Sequence, residues 1–309
     1  MRANKKIFII GFWPDYETCF FSSVSLNTHQ IIIVNPKEEI KTKTSRWLPR
    51  PFRNKLMVSR VLKLFASNPD ALFFFQDNRL FLDLIQKHQP KIMGGIIMRN
   101  IVNEKTKIFT AIQSLRAMGY HFWSFDPVDC NQYGFTYYEQ FISKIPQLKS
   151  TKPTLDFIFI GQDKGRSVTL NTFKKEVKKL GYKTLIKIVE PSTKKNIKQM
   201  LSYKDYIQMQ NKGKCIIDLA QKNQAGLTLR PLEALIYKQK LLSNNPRIKD
   251  SIIYNDANIF IIKEDGIDYK RLALFMEKPL VEIEDKIIQT YSTEAVLTKI
   301  IQQASPPTT

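Results

Sequence analysis

Lys214-Cys-Ile-Ile-Asp218, followed by Gln224-Ala-Gly226-Leu227-Thr228-Leu-Arg230-Pro-Leu-Glu233-Ala-Leu235, reads as a strand, a glycine-bearing loop and the start of a helix. Pro231 suits a first helical turn, where its missing N–H costs nothing. A helix that starts at the mouth of a sheet offers backbone N–H groups and a favourable dipole to phosphate. Gly226, Leu227 and Thr228 form the loop that would present them. Arg230 adds a permanently charged fork of donors. Glu233, about one turn further on, adds a carboxylate able to accept from ribose or sugar hydroxyls. The same residues also have plainer uses, as a loop glycine and a first-turn acid. Asp218 either faces a ligand or caps the following loop.

Outward from this corner, the chain alternates short apolar runs with helical periods. Lys5-Lys-Ile-Phe-Ile-Ile-Gly11, Gln30–Asn35, Pro69–Phe75, Ile92–Met98 and Tyr120–Phe125 read as strands, with helices at Asn54–Ala66, Leu80–His88 and Thr106–Met118. The second half repeats the plan: strands at Leu155–Gly161, Thr184–Val189, Cys215–Leu219, Lys240–Asn244 and Ile259–Ile262, helices at Leu170–Leu180 and Leu229–Tyr237, and a helical or mixed piece at Ser202–Met209. The strands do not alternate polar with apolar, as expected of parallel strands buried on both faces. Crossover helices then make a doubly wound α/β sheet in each half. We place the boundary in the Lys-, Ser- and Thr-rich stretch 146–154, giving domains 1–149 and 150–290, with a terminal helix and tail at 291–309.

The length of 309 residues suits two such domains, and 43% hydrophobic residues supplies a core for each. Cys19, Cys130 and Cys215 are far apart and make no paired motif, which points to reduced thiols in the cytoplasm. Three scattered histidines offer no imidazole-built metal site, so no metal and no cofactor is expected. No apolar run is long enough to span a bilayer. Forty-eight Lys and Arg against twenty-eight Asp and Glu leave a net charge of +20, which attracts polyanions of any kind. No zinc-finger, KH or RRM signature accompanies that charge, so nucleic acid is not the expected partner.

The run Asp218 to Leu235, with Lys240-Leu-Leu-Ser-Asn-Asn245, resembles the donor domain of bacterial glycosyltransferases of the GT-B fold, notably the lipopolysaccharide and capsule type related to the CgeB-like group. Phe125-Asp-Pro-Val-Asp129 with Tyr133-Gly134, Gly161-Gln-Asp-Lys-Gly-Arg166 and Tyr291-Ser-Thr-Glu294 extend the resemblance over both halves. It implies two Rossmann-like domains facing a central cleft, and transfer of a hexose from a nucleotide diphosphate sugar to a cell-envelope glycan or glycolipid; the alternatives are a non-catalytic scaffold with the same fold and a basic nucleic-acid-binding protein. It assigns Glu233 to the nucleoside ribose, and the N-terminal domain to the acceptor. The family's earlier second glutamate is absent: position 225 is Ala, beside Gln224.

Several further residues fit that implied chemistry. Gly161 and Arg166 flank the turn after the Leu155 strand; glycine permits close approach of a ligand and Arg166 either grips a diphosphate or is solvated. In the first half, the loop Gly11-Phe-Trp-Pro-Asp15-Tyr-Glu17 after the first strand places two carboxylates beside aromatics at that strand's C-terminal end. Asp15 or Glu17 is a candidate base for an acceptor hydroxyl, or an ordinary surface acid. Arg99 and Asn100 follow another strand and could meet phosphate or sugar. Lys41, Lys43, Arg46, Arg50, Arg53 and Lys55 surround Trp47, Leu48 and Phe52. This segment is either a solvated cationic face or a contact for the anionic inner face of the cytoplasmic membrane.

Overall fold

The computed structural model describes residues 5–35, 49–145, 148, 152–189, 201–221 and 224–304. The chain divides into two compact units, Met1–Glu139 with Thr293–Thr309, and Gln140–Ser292. Each is a wholly parallel sheet flanked by helices.

The first unit runs β1 (Lys5–Ile10), α1 (Asp15–Ser22), β2 (His29–Val34), α2 (Arg50–Ser67), β3 (Leu72–Gln76), α3 (Arg79–His88), β4 (Met93–Ile97), α4 (Lys107–Ala117), β5 (Phe122–Ser124), α5 (Pro127–Tyr133) and β6 (Thr136–Tyr137). Its strand order is β2-β1-β3-β4-β5-β6. Ile7, Ile9, Ile10, Phe74 and Phe75 are fully enclosed, because the sheet is covered on both faces. Phe8 and Phe73 stack at 4.9 Å across neighbouring strands. Such a ring contributes about 1.5–3 kcal/mol by leaving water.

The second unit runs β7 (Leu155–Gly161), α6 (Ser167–Lys179), β8 (Thr184–Ile188), α7 (Tyr203–Gln210), β9 (Gly213–Asp218), α8 (Leu229–Ile236), β10 (Lys240–Ser243), β11 (Ile259–Ile261), α9 (Tyr269–Glu277) and α10 (Asp285–Thr290). The order is β11-β10-β9-β7-β8. Phe157 meets Phe173 edge-on at 5.1 Å and packs with Leu170, Val177, Ile217 and Leu272. The chain's last helix, α11 (Thr293–Ala304), belongs to the first unit, where Trp123 Nε1 donates to Gln303 Oε1 at 2.8 Å.

The sheet order locates the candidate ligand positions. From β1 the chain moves outward to β2, then crosses to β3 on the opposite side; β7, β8 and β9 do the same. Crossovers diverging from neighbouring strands open a crevice at their C-terminal ends. One such place lies above β1 and β3, the other above β7 and β9.

One sequence expectation changes here. The stretch after Gly11 forms a helix from Asp15 and not an open loop, since Pro14 ends the extended segment and its carbonyl accepts from Glu17 N at 3.0 Å. Among the described residues no helix is long and apolar enough to cross a membrane, and all three cysteines are free thiols.

Candidate functional site

Above β7 and β9 the expected residues meet. The Arg230 guanidinium donates from Nη2 to Ile160 O at 2.9 Å, holds Asp218 Oδ1 at 3.6 Å from Nη1, and lies 4.9 Å over the Phe159 ring. Gly161 makes this possible: a Cβ there would fall 2.5 Å from Arg230 Nη2. Burial alone would lower the Arg230 pKa, but Tyr206, Asp218 and Glu233 outweigh it and hold the pKa above its ordinary value.

Asp218 is the anchor of the corner. It is 1% exposed; Oδ1 accepts from Thr228 Oγ1 at 3.0 Å and Oδ2 from Ser243 Oγ at 3.1 Å. Thr228 in turn caps α8, accepting from Arg230 N at 3.3 Å. Asn245 Nδ2 donates to the carbonyls of Ala225 and Gly226 at 3.3 and 3.4 Å, which fixes the path into Leu227. The strand end, the loop and the helix start are therefore one hydrogen-bonded piece.

A second turn brings more positive charge. After Gly161, Lys164 and Gly165 adopt φ of 46° and 80°, and Asp163 Oδ1 accepts from the backbone of Arg166 and Ser167 at 2.9 and 2.7 Å. This tight turn sets Arg166 and Lys164 near Arg230. Burial and then the Arg230 charge push the Arg166 pKa down; burial, Arg166 and Arg230 do the same to Lys164. Buried Nε atoms of Arg166 and Arg230 meet no acceptor among the described residues. Crowded cations with donors in hand favour an anion.

Glu233 is enclosed. It is 2% exposed, and accepts from Tyr203 Oη at 3.1 Å, Tyr206 Oη at 2.8 Å and Gln210 Nε2 at 3.2 Å. Burial raises its pKa against the opposing pull of Arg230 and these donors. Three protein donors already occupy the carboxylate that the resemblance assigns to ribose. The sequence reading missed Lys164, Tyr206, Ser243 and Asn245. Lys164 was visible as the cation of the Asp-Lys-Gly turn, whereas Tyr206 comes from α7 and carries no local signal.

Above β1 and β3, Gly11 has φ of 87°, and an added side chain would strike Phe81. Glu17 is fully buried and paired with Arg99, whose Nε lies 2.8 Å from Oε1; Gln76 Nε2 donates to Oε2 at 3.1 Å. Arg99 Nη1 also donates to Tyr138 Oη at 3.0 Å, and Tyr138 to Met98 O at 2.7 Å. Arg99 and Glu17 thus face each other, while Asp15 is exposed at the start of α1.

Beside that pair is a cleft of about 750 Å³ lined by Trp13, Asn54, Gln76, Asp77, Asn78 and Asn100. Asp77 accepts from Arg99 N at 3.0 Å and Asn100 Nδ2 at 3.3 Å; burial raises its pKa, and those bonds oppose the rise. Asp77 and Asn100 come from the ends of different strands; Asn100 was a sequence candidate beside Arg99, whereas Asp77 was not. No group of three or more His, Cys, Asp or Glu suited to a metal occurs among the described residues. Of the basic segment, Lys41, Lys43, Arg46, Trp47 and Leu48 lie outside the described residues, whereas Phe52, Arg53 and Lys55 sit on α2.

Comparison with known proteins agrees with this architecture. No protein-family model matches the sequence. No curated protein matches it either. Among solved structures, an alpha-glucosyltransferase in complex with UDP and a 13-mer DNA aligns over 98% of this chain and 100% of its own, with TM-score 0.60 and 12% identity. UDP-GlcNAc 2-epimerase from Methanocaldococcus jannaschii aligns over 96% and 99%, with TM-score 0.52 and 10% identity. A glycosyltransferase from Rickettsia africae aligns over 98% of both chains, with TM-score 0.50 and 12% identity. At such identity the shared property is the fold, two Rossmann-like units of the GT-B type.

Proposed function

We propose that the protein is a glycosyltransferase that moves a hexose from a nucleotide diphosphate sugar to a cell-envelope glycan, as in lipooligosaccharide, O-antigen or capsule assembly. The observation that carries the reading is the set of cations above β7 and β9: Arg230, Arg166 and Lys164, two of them with buried donors that meet no protein acceptor among the described residues. Two phosphates are the natural counterpart of such a cluster. Solved structures of the same fold bind UDP or are described as acting on UDP-GlcNAc, which supports the choice of ligand class.

In this reading Arg230, Arg166 and the start of α8, with Gly226, Leu227 and Thr228, stabilise charge on the departing diphosphate, so fixed cations do the work often given to a metal ion. Gly161 admits the guanidinium and Asp218 aims it. Glu233 takes a ribose hydroxyl in exchange for its bond to Tyr206 or Gln210. On the acceptor side, Trp13 offers an apolar face to a sugar ring and Asp77 or Asp15 removes the proton of the attacking hydroxyl. Glu17 and Arg99 hold the floor of that region.

The test is a thermal-shift screen of nucleotides and nucleotide sugars, because a ligand of the folded state must raise its stability. A uridine or guanosine diphosphate hit, lost in Arg230→Ala with folding retained, supports the reading; indifference to all nucleotides removes it. A second reading, in which the acceptor is nucleic acid, is favoured by the net charge of +20 and by the DNA held by one structural relative. Transfer of labelled sugar to duplex DNA and not to glycolipid would select it.

A further inference from the structure

We propose that the outward face of α2 docks on an anionic lipid bilayer. The helix sequence RPFRNKLMVSRVLKLFAS contains no acidic residue. Met57 and Val61 turn inward, at 5% and 0% exposure. The opposite face carries Phe52 at 60% and Leu56 at 43% exposure, one helical turn apart, with Arg53, Lys55, Arg60 and Lys63 exposed around them. Isolated exposed apolar residues need no explanation. Two stacked on one line and ringed by cations match a helix lying in the headgroup layer, its apolar tips in the acyl boundary and its charges on phosphates.

A membrane fits this face better than nucleic acid does. Both attract the cations, but Leu56 has no ring to stack on a base, whereas both apolar side chains gain by entering a lipid boundary. The inner side of the same helix contributes Asn54 and Met57 to the cleft that also holds Trp13 and Asp77. Resting on the proposed transferase reading, this geometry brings a lipid-linked acceptor's headgroup to that cleft from the bilayer surface.

The experiment is co-sedimentation of the full chain with vesicles of phosphatidylcholine containing phosphatidylglycerol, against phosphatidylcholine alone. Binding is expected only to the anionic vesicles and should fall about fivefold for each of Arg53→Ala and Lys63→Ala, the value of ~1 kcal/mol per surface cation. Phe52→Ser with Leu56→Ser should weaken it at least as much, while all four substitutions leave the melting temperature and any nucleotide shift unchanged. That last readout keeps a failure here distinct from failure of the transferase reading. Equal binding to neutral vesicles, no binding, or variants that bind like the parent would overturn the proposal. Tighter binding to labelled duplex DNA, weakened by the charge variants but not by the apolar pair, would overturn it in favour of nucleic acid.

Discussion

The Arg230 guanidinium rests against the bare Cα of Gly161, in the space where any other residue would carry its Cβ. Gly161 ends β7 and Arg230 lies in the first turn of α8, so this contact joins the two turns that build the cationic corner. Gly161→Ala should cost little stability, because the backbone of Gly161 is not in the left-handed region and the obstructing atom is the tip of a flexible side chain. It should displace the guanidinium and, in the proposed donor site, weaken binding of a nucleoside diphosphate about tenfold, the worth of one charge-assisted hydrogen bond. Calorimetric titration alongside a melting curve separates the two effects.

Tyr206 and a ribose hydroxyl compete for Glu233 in the proposed donor site. Tyr206→Phe should cost about 1 kcal/mol of stability for one lost hydrogen bond. It should also widen the preference for UDP over its 2′,3′-dideoxy analogue, since an oxygen of Glu233 is released. Glu233→Ala, by contrast, strands three buried donors and should cost about 2–4 kcal/mol. An unchanged preference in Tyr206→Phe would leave Glu233 as a brace between α7 and α8.

What was legible beforehand follows from the range of each interaction. β1 and β7 announce themselves because a strand buried on both faces must be apolar throughout, as Ile7–Ile10 and Phe157–Ile160 are. The corner of Asp218, Thr228 and Arg230 was legible because its residues lie in one strand–loop–helix segment. α1 was missed because eight residues with Asp15 and Glu17 at the front resemble a polar loop. α9 was missed although Asp268 caps it with bonds to Lys270 N and Arg271 N. The Glu17–Arg99 pair spans most of the first unit, and nothing near either residue reveals the other.

Asp129 gives a pH signature. It is buried, accepts from Val102 N at 2.9 Å, and burial, with Asp126 nearby, pushes its pKa up to about 6. The unfolded value is about 4, so the folded state holds this proton more tightly. The group's contribution to stability is therefore complete below about pH 4 and is lost as pH rises through about 6. Asp129→Asn, which keeps an acceptor for Val102, should stabilise the protein at pH 7.5 by about 1–3 kcal/mol. The gain should shrink as pH falls to 5. Urea unfolding across this range measures it, and a gain independent of pH would refute the assignment.

Glu17 and Arg99 form an ion pair with side chains 0% and 3% exposed, so neither can shed its charge into water when the other is removed. Glu17→Gln should cost about 3–5 kcal/mol, mostly the penalty of leaving the Arg99 guanidinium buried without its carboxylate. Arg99→Met should cost a similar amount by isolating Glu17, which burial would then drive to its protonated form. The double variant should be more stable than the sum of the two losses implies, with a coupling of roughly 1–3 kcal/mol, because neither charge is then stranded. If Glu17 were instead the base of the transfer reaction, Glu17→Gln would abolish turnover even at temperatures where the variant is folded. Turnover close to the parent's in the cold, with the coupling present in urea unfolding, would assign the pair to holding the acceptor side in shape and leave Asp15 or Asp77 to take the proton.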